Sequence, residues 1–377
     1  MDFDFNEKEK LLFSDINNVL KDYSDFQDKE SDILVIRSKM LDLIKRLSKT
    51  DYFKPAIDNN SDISLTSCIA AMEIAAAKAM SIFPAIELSV RLFGYLISNY
   101  TDNTNPIKND LLNKINSGDI ICSIAISEDS MNIVNDPFKT NAIIENDNII
   151  LSGLKNYVVN APIADYFAVF GQMEEKNTIF IIKKDNPGLT INKRFNTIGY
   201  ENMAISKIEF NRCKISKNYV IGPFADTEIL DKFRMWENLI LSASSLAMMQ
   251  TSFEEAKEFS NVHRTGNKPI IAYQEIAFML AEMLTLIQTA RLLTYRAAWM
   301  METNNKEMNV LNHCAKVFNA EASEKVASMA VQILSGKGFI SGNKSESAFR
   351  NSKYCHIAGT STEISRIKIG DSFLRLK

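Results

Sequence analysis

The stretch "MWENLILSASSLAMMQ" contains a carboxylate in a setting suited to acid–base chemistry. Glu237 follows Trp236 and begins a mostly apolar run, and such surroundings favour a carboxylate that accepts a proton near neutral pH. A glutamate in the first turn of a helix also interacts favourably with the helix dipole, so a structural role is the ordinary interpretation of such a residue. Glu237 is therefore a candidate general base with a simple structural alternative.

The stretch "KYCHIAGTSTEISR", residues 353–366, interrupts a helical C-terminal half with small polar residues. Ala, Gly, Thr and Ser supply backbone groups and hydroxyls but no strong acid or base. If this break lines a site, the group that moves a proton must come from another part of the chain.

A third stretch, "QILSGKG" at 332–338, combines small residues with available backbone amides. Such a segment lets the backbone approach a phosphate group closely. A helix that ends at Gly336 or Gly338 explains the same residues equally well.

Composition and charge exclude several classes of protein. The 377 residues include 43 Lys and Arg against 46 Asp and Glu, so the charge footprint of a nucleic-acid-binding protein is absent. The five cysteines and three histidines are scattered and form no spaced metal-binding set, so we expect no metal. We found no apolar run of membrane-spanning length and no signal peptide, so we expect a cytoplasmic protein without a membrane partner.

The period of the apolar residues changes twice along the chain. Residues 1–117 show helical spacing, 118–225 show short β-branched runs separated by turn residues, and 226–377 return to helical spacing. This order predicts an α+β protein with an N-terminal all-α domain, a middle β domain and a C-terminal helical domain.

Three stretches together resemble the acyl-CoA dehydrogenase family of flavoproteins. They are "NAIIENDNIILSGLKNYVVNAPIADYFAVFG", "HRTGNKPIIAYQEIAFMLAEM" and "AVQILSGKGFISGNKSESAFRNSK". The segment at 353–366 also falls where this family has a Gly-Thr-x-Glu-Ile motif. Length, domain order and motif order agree over nearly the whole chain. The resemblance implies that the C-terminal domain is a four-helix bundle.

The resemblance implies FAD as cofactor and a homotetramer or homodimer. Tyr157 replaces the Trp that the family lays against the flavin, and Val159 replaces a hydrogen-bonding Thr or Ser. Gln332 and Gly336 would contact the FAD of a neighbouring subunit, and a cation of the "HRTGNK" loop, His263 or Arg264, would meet the pyrophosphate. The residues expected to contact FAD are Ser127, Tyr157, Arg264, Gln332, Gly336, Ser361 and Glu363.

The usual catalytic base of the family is missing at its C-terminal position. A gap-free alignment places Gly359 there, and glycine cannot accept a proton. Branches that resemble the isovaleryl and long-chain enzymes carry the base on an earlier helix instead, at a position that matches Glu237. The resemblance therefore implies that Glu237 is the catalytic base, while Gly359 and Asn238, which replaces the usual Arg, belong to the substrate side.

The implied reaction is FAD-dependent α,β-dehydrogenation of an acyl thioester on CoA or on a carrier protein. Glu237 would take the α-proton, the flavin would accept the β-hydride, and an electron-transfer flavoprotein or oxygen would reoxidise it. Residues 127–134 lack the family's Glu-Pro-x-x-Gly-Ser-Asp pattern, which makes a carrier-bound acyl or aminoacyl group in a biosynthetic pathway as reasonable as acyl-CoA. Alternatives are a flavin oxidase or monooxygenase, or an inactive member that serves in assembly.

Overall fold

The computed structural model describes residues 5–26, 29–58, 61–129, 136–146, 148–224 and 228–374. They form a helical N-terminal block, a β-sheet and a C-terminal helical region. This order confirms the predicted α+β fold class. The predicted domain boundaries at 117/118 and 225/226 stay predictions.

Polar side chains fix where several N-terminal helices begin. Asn6 and Glu9 form a reciprocal capping box, while the side chains of Asp32 and Ser64 accept backbone N–H groups at later helix starts. A π-helical turn, Leu88–Leu92, joins two helices without a break. The helices are α1 (Glu7–Val19), α2 (Ile33–Leu47), α3 (Lys54–Ile57), α4 (Leu65–Lys78), α5 (Phe83–Glu87), α6 (Phe93–Tyr100) and α7 (Pro106–Asn116).

The middle of the described chain folds into an eight-stranded, mostly antiparallel sheet. Seven strands follow the order β6-β7-β3-β2-β4-β5-β8, and β1 pairs with β4 in parallel. Interior runs such as "YFAVFG" are buried on both faces, which agrees with their continuous apolar pattern. The strands are β1 (Cys122–Ala125), β2 (Asn141–Glu145), β3 (Asn148–Val158), β4 (Tyr166–Met173), β5 (Lys176–Lys183), β6 (Leu189–Ile191), β7 (Ser206–Ile215) and β8 (Val220–Phe224).

The C-terminal region is a bundle in which α10 packs against α8, α9 and α12. A two-stranded hairpin separates α8 from α9, and a short break separates α12 from α13. The elements are α8 (Glu228–Val262), β9 (Arg264–Thr265), β10 (Lys268–Pro269), α9 (Gln274–Glu302), α10 (Met308–Leu334), α11 (Gly336–Phe339), α12 (Lys344–Ile357) and α13 (Thr362–Leu374).

The start of α8 is where the three parts of the protein meet. The Phe233 ring lies 5.7 Å from Phe170 of the sheet, and the Trp236 ring lies 6.2 Å from Tyr95 of α6. Both α8 residues are buried, so this end of the helix is held on two sides. Glu237, which follows Trp236, therefore lies at the junction of all three parts.

Helix α9 is long and apolar enough, by length and composition, to cross a membrane. It packs against α8 and α10, and Phe278, Leu284 and Leu292 are exposed on it. Apolar bundle helices of soluble proteins satisfy the same two criteria. The expected absence of a membrane partner stays a prediction.

A fully buried ion pair ties the π-helical turn to the preceding helices. The Arg91 guanidinium donates to the Glu87 carboxylate at 2.5 Å and to the carbonyls of Pro55 and Tyr52 at 2.8 and 3.0 Å. The Tyr52 hydroxyl donates to the same carboxylate at 2.6 Å. Both charged side chains are 0% exposed, so each depends on the other for compensation.

The substitution Glu87→Gln is expected to destabilise the protein by about 3–5 kcal/mol, because it leaves the Arg91 charge buried and uncompensated. Urea unfolding followed by circular dichroism measures the loss. Asp110→Asn is the matched control, because it removes an i,i+4 pair with Lys114 whose side chains are 54% and 41% exposed. That change is expected to cost less than about 1 kcal/mol. Equal unfolding midpoints for the two variants would contradict the assignment.

Candidate active site

A cavity of about 1270 Å³ lies where the sheet, the start of α8 and the break between α12 and α13 meet. Helix α8 lines it with Leu230, Phe233, Arg234 and Glu237, which share one face because residues three and four apart are neighbours on a helix. Residues 357–361, at and after the end of α12, also line the cavity. The cavity therefore combines an apolar wall with ionisable groups.

Glu237 and Gly359 are neighbours in the cavity wall. Gly359 has a φ of +67°, and a Cβ added there would lie 3.5 Å from Glu237 Cγ. The same added atom would lie 3.0 Å from both Asn238 Oδ1 and Leu241 Cδ1. The two positions at which the resemblance places a base thus lie next to each other in space.

The carboxylate of Glu237 is held by Arg234, one turn earlier on α8. The Arg234 guanidinium donates to Glu237 Oε2, and the two side chains are 14% and 16% exposed. One carboxylate oxygen is therefore oriented by a cation of the same helix. Arg234 was not among the residues predicted from the sequence, although its i,i+3 spacing from Glu237 was an available signal.

Asn238 lies behind the cavity wall and holds the break in place. Its Oδ1 accepts from the Thr360 amide at 3.1 Å, and its Nδ2 donates to Asn312 Oδ1 at 2.9 Å. The side chain is 1% exposed. The side chain is thus engaged within the protein in a geometry that positions the break, and its predicted place on the substrate side stays a prediction.

The break runs from the carboxyl end of α12 to the amino end of α13. The Ser361 hydroxyl accepts from the Ile364 amide at 3.3 Å, as an N-terminal cap of α13 does, and Ser361 lines the cavity. Glu363 is exposed in the first turn of that helix, where hydrogen bonds from its own backbone N–H and from the Thr362 hydroxyl lower the pKa of its carboxyl. The positive end of the α13 dipole thus faces this side of the cavity.

Tyr157 presents an exposed aromatic ring beside the cavity. Its side chain is 69% exposed, and its ring centroid lies 5.9 Å from that of Phe195. The backbone of Tyr157 has a φ of +55°, an uncommon conformation for a bulky residue. Val159, two residues later, is buried and also contributes to the wall. A flat aromatic ligand would find a free partner surface here.

A buried lysine fixes the segment that carries Ser127. Lys155 is 0% exposed, and its ammonium donates to the Glu128 carboxylate at 2.7 Å and to the Ile126 carbonyl at 2.8 Å. Burial lowers the pKa of Lys155 to about 8, against the opposing effect of Glu128. Ser127 lines the cavity, and its carbonyl accepts from the Asn156 amide at 2.9 Å. The altered pattern that we noted at 130–134 lies outside the described residues.

The surface end of the cavity is polar. The rim includes Asp231 and Asp371, which are exposed, and Lys368, whose ammonium donates to Asp231 at 3.1 Å. Deeper in the wall, burial lowers the pKa of His313 to about 4, so its imidazole is neutral at physiological pH, with Nδ1 3.3 Å from Ser365 Oγ. No group of three or more metal-ligating side chains occurs in the described part of the chain.

The remaining predicted cofactor residues lie at the other end of the bundle. Arg264 is exposed in the β9–β10 hairpin, while the neighbouring His263 ring stacks on Phe259 at 4.6 Å. Gln332 and Gly336 are exposed where α10 meets α11. Within a single subunit, the residues predicted to contact FAD therefore form two separate groups. One group lies at the cavity, and the other lies at the far end of the bundle.

The substitution Gly359→Ala is expected to destabilise the protein by about 1–2 kcal/mol, because the left-handed backbone disfavours a Cβ that Asn238 and Leu241 also crowd. Thermal unfolding measures the effect. Gly370→Ala is the control, since a Cβ there meets nothing within 4 Å and the position is helical. That variant is expected to be as stable as the wild type or slightly more stable. A Gly359→Ala protein as stable as the control would show that the crowding is relieved.

Comparisons with known proteins agree on one family. Residues 123–213 match the model of the acyl-CoA dehydrogenase middle domain, and residues 229–374 match that of the acyl-CoA dehydrogenase C-terminal domain. The mitochondrial short-chain specific acyl-CoA dehydrogenase of Homo sapiens is 28% identical over 265 residues, which are 69% of this chain and 64% of that protein. The chain thus spans just under two thirds of the length of this relative.

Two solved structures have the same fold at low sequence identity. Butyryl-CoA dehydrogenase from Megasphaera elsdenii superposes with a TM-score of 0.88 at 20% identity, with both chains covered completely. The prolyl acyl carrier protein oxidase AnaB superposes with a TM-score of 0.85 at 21% identity and covers 99% of this chain and 100% of its own.

Proposed function

Because the chain belongs to the acyl-CoA dehydrogenase family, we propose that it binds FAD and catalyses the α,β-dehydrogenation of an acyl thioester, with Glu237 as the base. The observation that carries this proposal is the position of Glu237 on the cavity wall, next to the glycine that occupies the family's usual base position. A carboxylate next to an enclosed volume can take a proton from a ligand that enters it.

The cavity suits the flavin part of FAD. The exposed Tyr157 ring offers a stacking surface, and Ser127 and Ser361 line the same space with hydroxyl groups. When bound, FAD would supply the hydride acceptor. Arg264 and Gln332, which lie at the far end of the bundle, would then meet the cofactor of a neighbouring subunit, as expected for a homotetramer or homodimer.

Different residues of the cavity would accept the proton, orient the base and stabilise the charge that develops. Glu237 would accept the α-proton, while Arg234 orients its carboxylate. The thioester oxygen gains negative charge as that proton leaves, so it requires hydrogen-bond donors and positive potential. The backbone of Gly359 and the amino end of α13 lie where they would provide both. Asn238 holds the break that presents these groups.

The charge of the cavity rim favours a thioester substrate that carries few phosphate groups. Among the described residues, Asp231 and Asp371 place two carboxylates there against the single ammonium of Lys368. CoA carries three phosphate groups, whereas the pantetheine arm of a carrier protein carries one at its attachment point. The rim carboxylates repel the three phosphates of CoA more strongly than the single phosphate of a carrier-protein arm. We therefore propose a carrier-bound acyl or aminoacyl thioester as the preferred substrate.

The substitution Glu237→Gln is expected to slow anaerobic bleaching of bound flavin by a good thioester at least about 100-fold, because the amide cannot accept the α-proton. Stopped-flow absorbance measures the rate with a panel of acyl-CoA and acyl-carrier-protein thioesters. Glu321→Gln, which changes an exposed pair with Arg366, is the control and is expected to bleach like the wild type. Equal bleaching by both variants would remove Glu237 from the mechanism.

The same experiment distinguishes the alternative functions. Hydrogen peroxide formation on admission of oxygen, in place of reduction of an electron-transfer flavoprotein, would identify an oxidase. A purified protein that stays colourless and cannot be reconstituted with FAD would indicate an inactive member with an assembly role.

The substitution Asp371→Asn is expected to raise kcat/KM for an acyl-CoA about 2- to 5-fold, since it removes one rim charge that repels the phosphates. The matched substrate is the same acyl group on pantetheine alone, which lacks phosphate and is expected to react equally with both proteins. A wild type that prefers the CoA thioester over the carrier-bound thioester would contradict the inference from the rim.

A further inference from the structure

Lys316 carries a buried charge directly behind the break. It lies on α10 with 1% exposure, and its ammonium donates to the carbonyl of Cys355 in the last turn of α12. Taking an ammonium out of water costs several kcal/mol unless it is well compensated. An uncharged residue of similar length, such as Met, would fill the same space without that cost, so the charge itself requires an explanation.

Charged and titratable groups from three neighbouring helices face this ammonium. Helix α8 contributes Glu237 and Arg234, α13 contributes Glu363, and α12 contributes the thiol of Cys355. Lys316 is therefore part of the electrostatic environment of the proposed base, although the cavity lining does not include it.

The position of Lys316 cancels an unfavourable helix dipole. The carboxyl end of α12 directs partial negative charge towards the break, whereas the amino end of α13 directs partial positive charge towards it. A cation bonded to the Cys355 carbonyl neutralises the first of these. The negative end of α12 then contributes less at the break, while the positive end of α13 still acts there.

We propose that Lys316 is a positioning residue that fixes the break and keeps it electrostatically suited to a developing negative charge. The inference rests on the proposed function. In the step concerned, the α-carbon–hydrogen bond breaks, the proton passes to the Glu237 carboxylate, and the electron pair becomes an enolate with its charge on the thioester oxygen. Lys316 neither gives nor takes a proton in this step.

The proposal has a pH signature. Burial lowers the pKa of Lys316 to about 8, so the ammonium loses its proton as the pH rises through that value. Burial also raises the pKa of the Cys355 thiol and of the nearby Tyr354 phenol, which moves both away from the pKa of about 8 of Lys316. Proton abstraction should therefore slow above pH 8.

The contribution of Lys316 to the free energy of unfolding should change with pH in the direction opposite to that of the rate of proton abstraction. The folded pKa of Lys316 lies below its unfolded value near 10.4, so between about pH 8 and 10 the unfolded chain binds more protons at this site. The contribution of Lys316 to the free energy of unfolding therefore rises with pH in this window, while the rate falls. A lysine with a purely structural role would show the rise in the free energy of unfolding without the fall in rate.

The test compares Lys316→Met and Lys316→Arg with the wild-type holoenzyme. The probe is the 3,3-dimethylbutanoyl thioester of pantetheine, which has α-protons but no β-hydrogen. Its α-proton exchange in D2O, followed by mass spectrometry, reports proton transfer without flavin reduction. Thermal unfolding across pH 6–10 is the second readout, and Lys325→Met, an exposed site of α10, is the control.

The Lys316→Met protein is expected to unfold at the same or a higher temperature, to exchange at least about tenfold more slowly at pH 7, and to lack the alkaline decline. Lys316→Arg should retain exchange and move the decline to higher pH. Exchange by Lys316→Met at the wild-type rate would overturn the proposal. If that variant does not fold, an unmoved decline in Lys316→Arg overturns it instead. A wild type that neither exchanges this probe nor bleaches with any thioester would refute the proposed function, not the role of Lys316.

Discussion

The close approach of Gly359 to Glu237 is the constraint on which the arrangement of the cavity depends. Gly359 has a left-handed backbone and no side chain, and a Cβ added there would lie only 3.5 Å from Glu237 Cγ, so the break between α12 and α13 packs closely against this part of α8. Any other residue would meet Asn238, Leu241 and the Glu237 stem together. The glycine and the glutamate are therefore neighbours in the cavity wall, although they lie far apart in the sequence.

Much of the fold and part of the site were predictable from the sequence. The change in apolar period gave the α+β order, and the three quoted stretches gave the family, which the comparisons confirm. Glu237 was found because the alignment left Gly359 without a base. The contact between these two residues was not predictable, since it arises from the packing of α8 against a break more than 120 residues later in the chain.

Other residues of the site were missed because their roles depend on tertiary contacts. Asn238 was predicted on the substrate side because it replaces the family's usual Arg, and its bonds to Thr360 and Asn312 were not predictable from that replacement. Lys155 and Lys316 were not predicted as site residues from the sequence. Their burial depends on neighbours from distant segments, and burial is what turns a surface charge into a fixed source of potential.

The backbone of Tyr157 has a consequence for the evolution of the protein. A bulky residue held at a positive φ stores conformational strain, which glycine or asparagine at the same position would release. Selection for heat resistance alone would therefore favour the loss of this ring, and selection for the work of the cavity would oppose it. The aromatic side chain at this position is thus kept at a cost in stability, and the proposed stacking on the flavin would account for that cost.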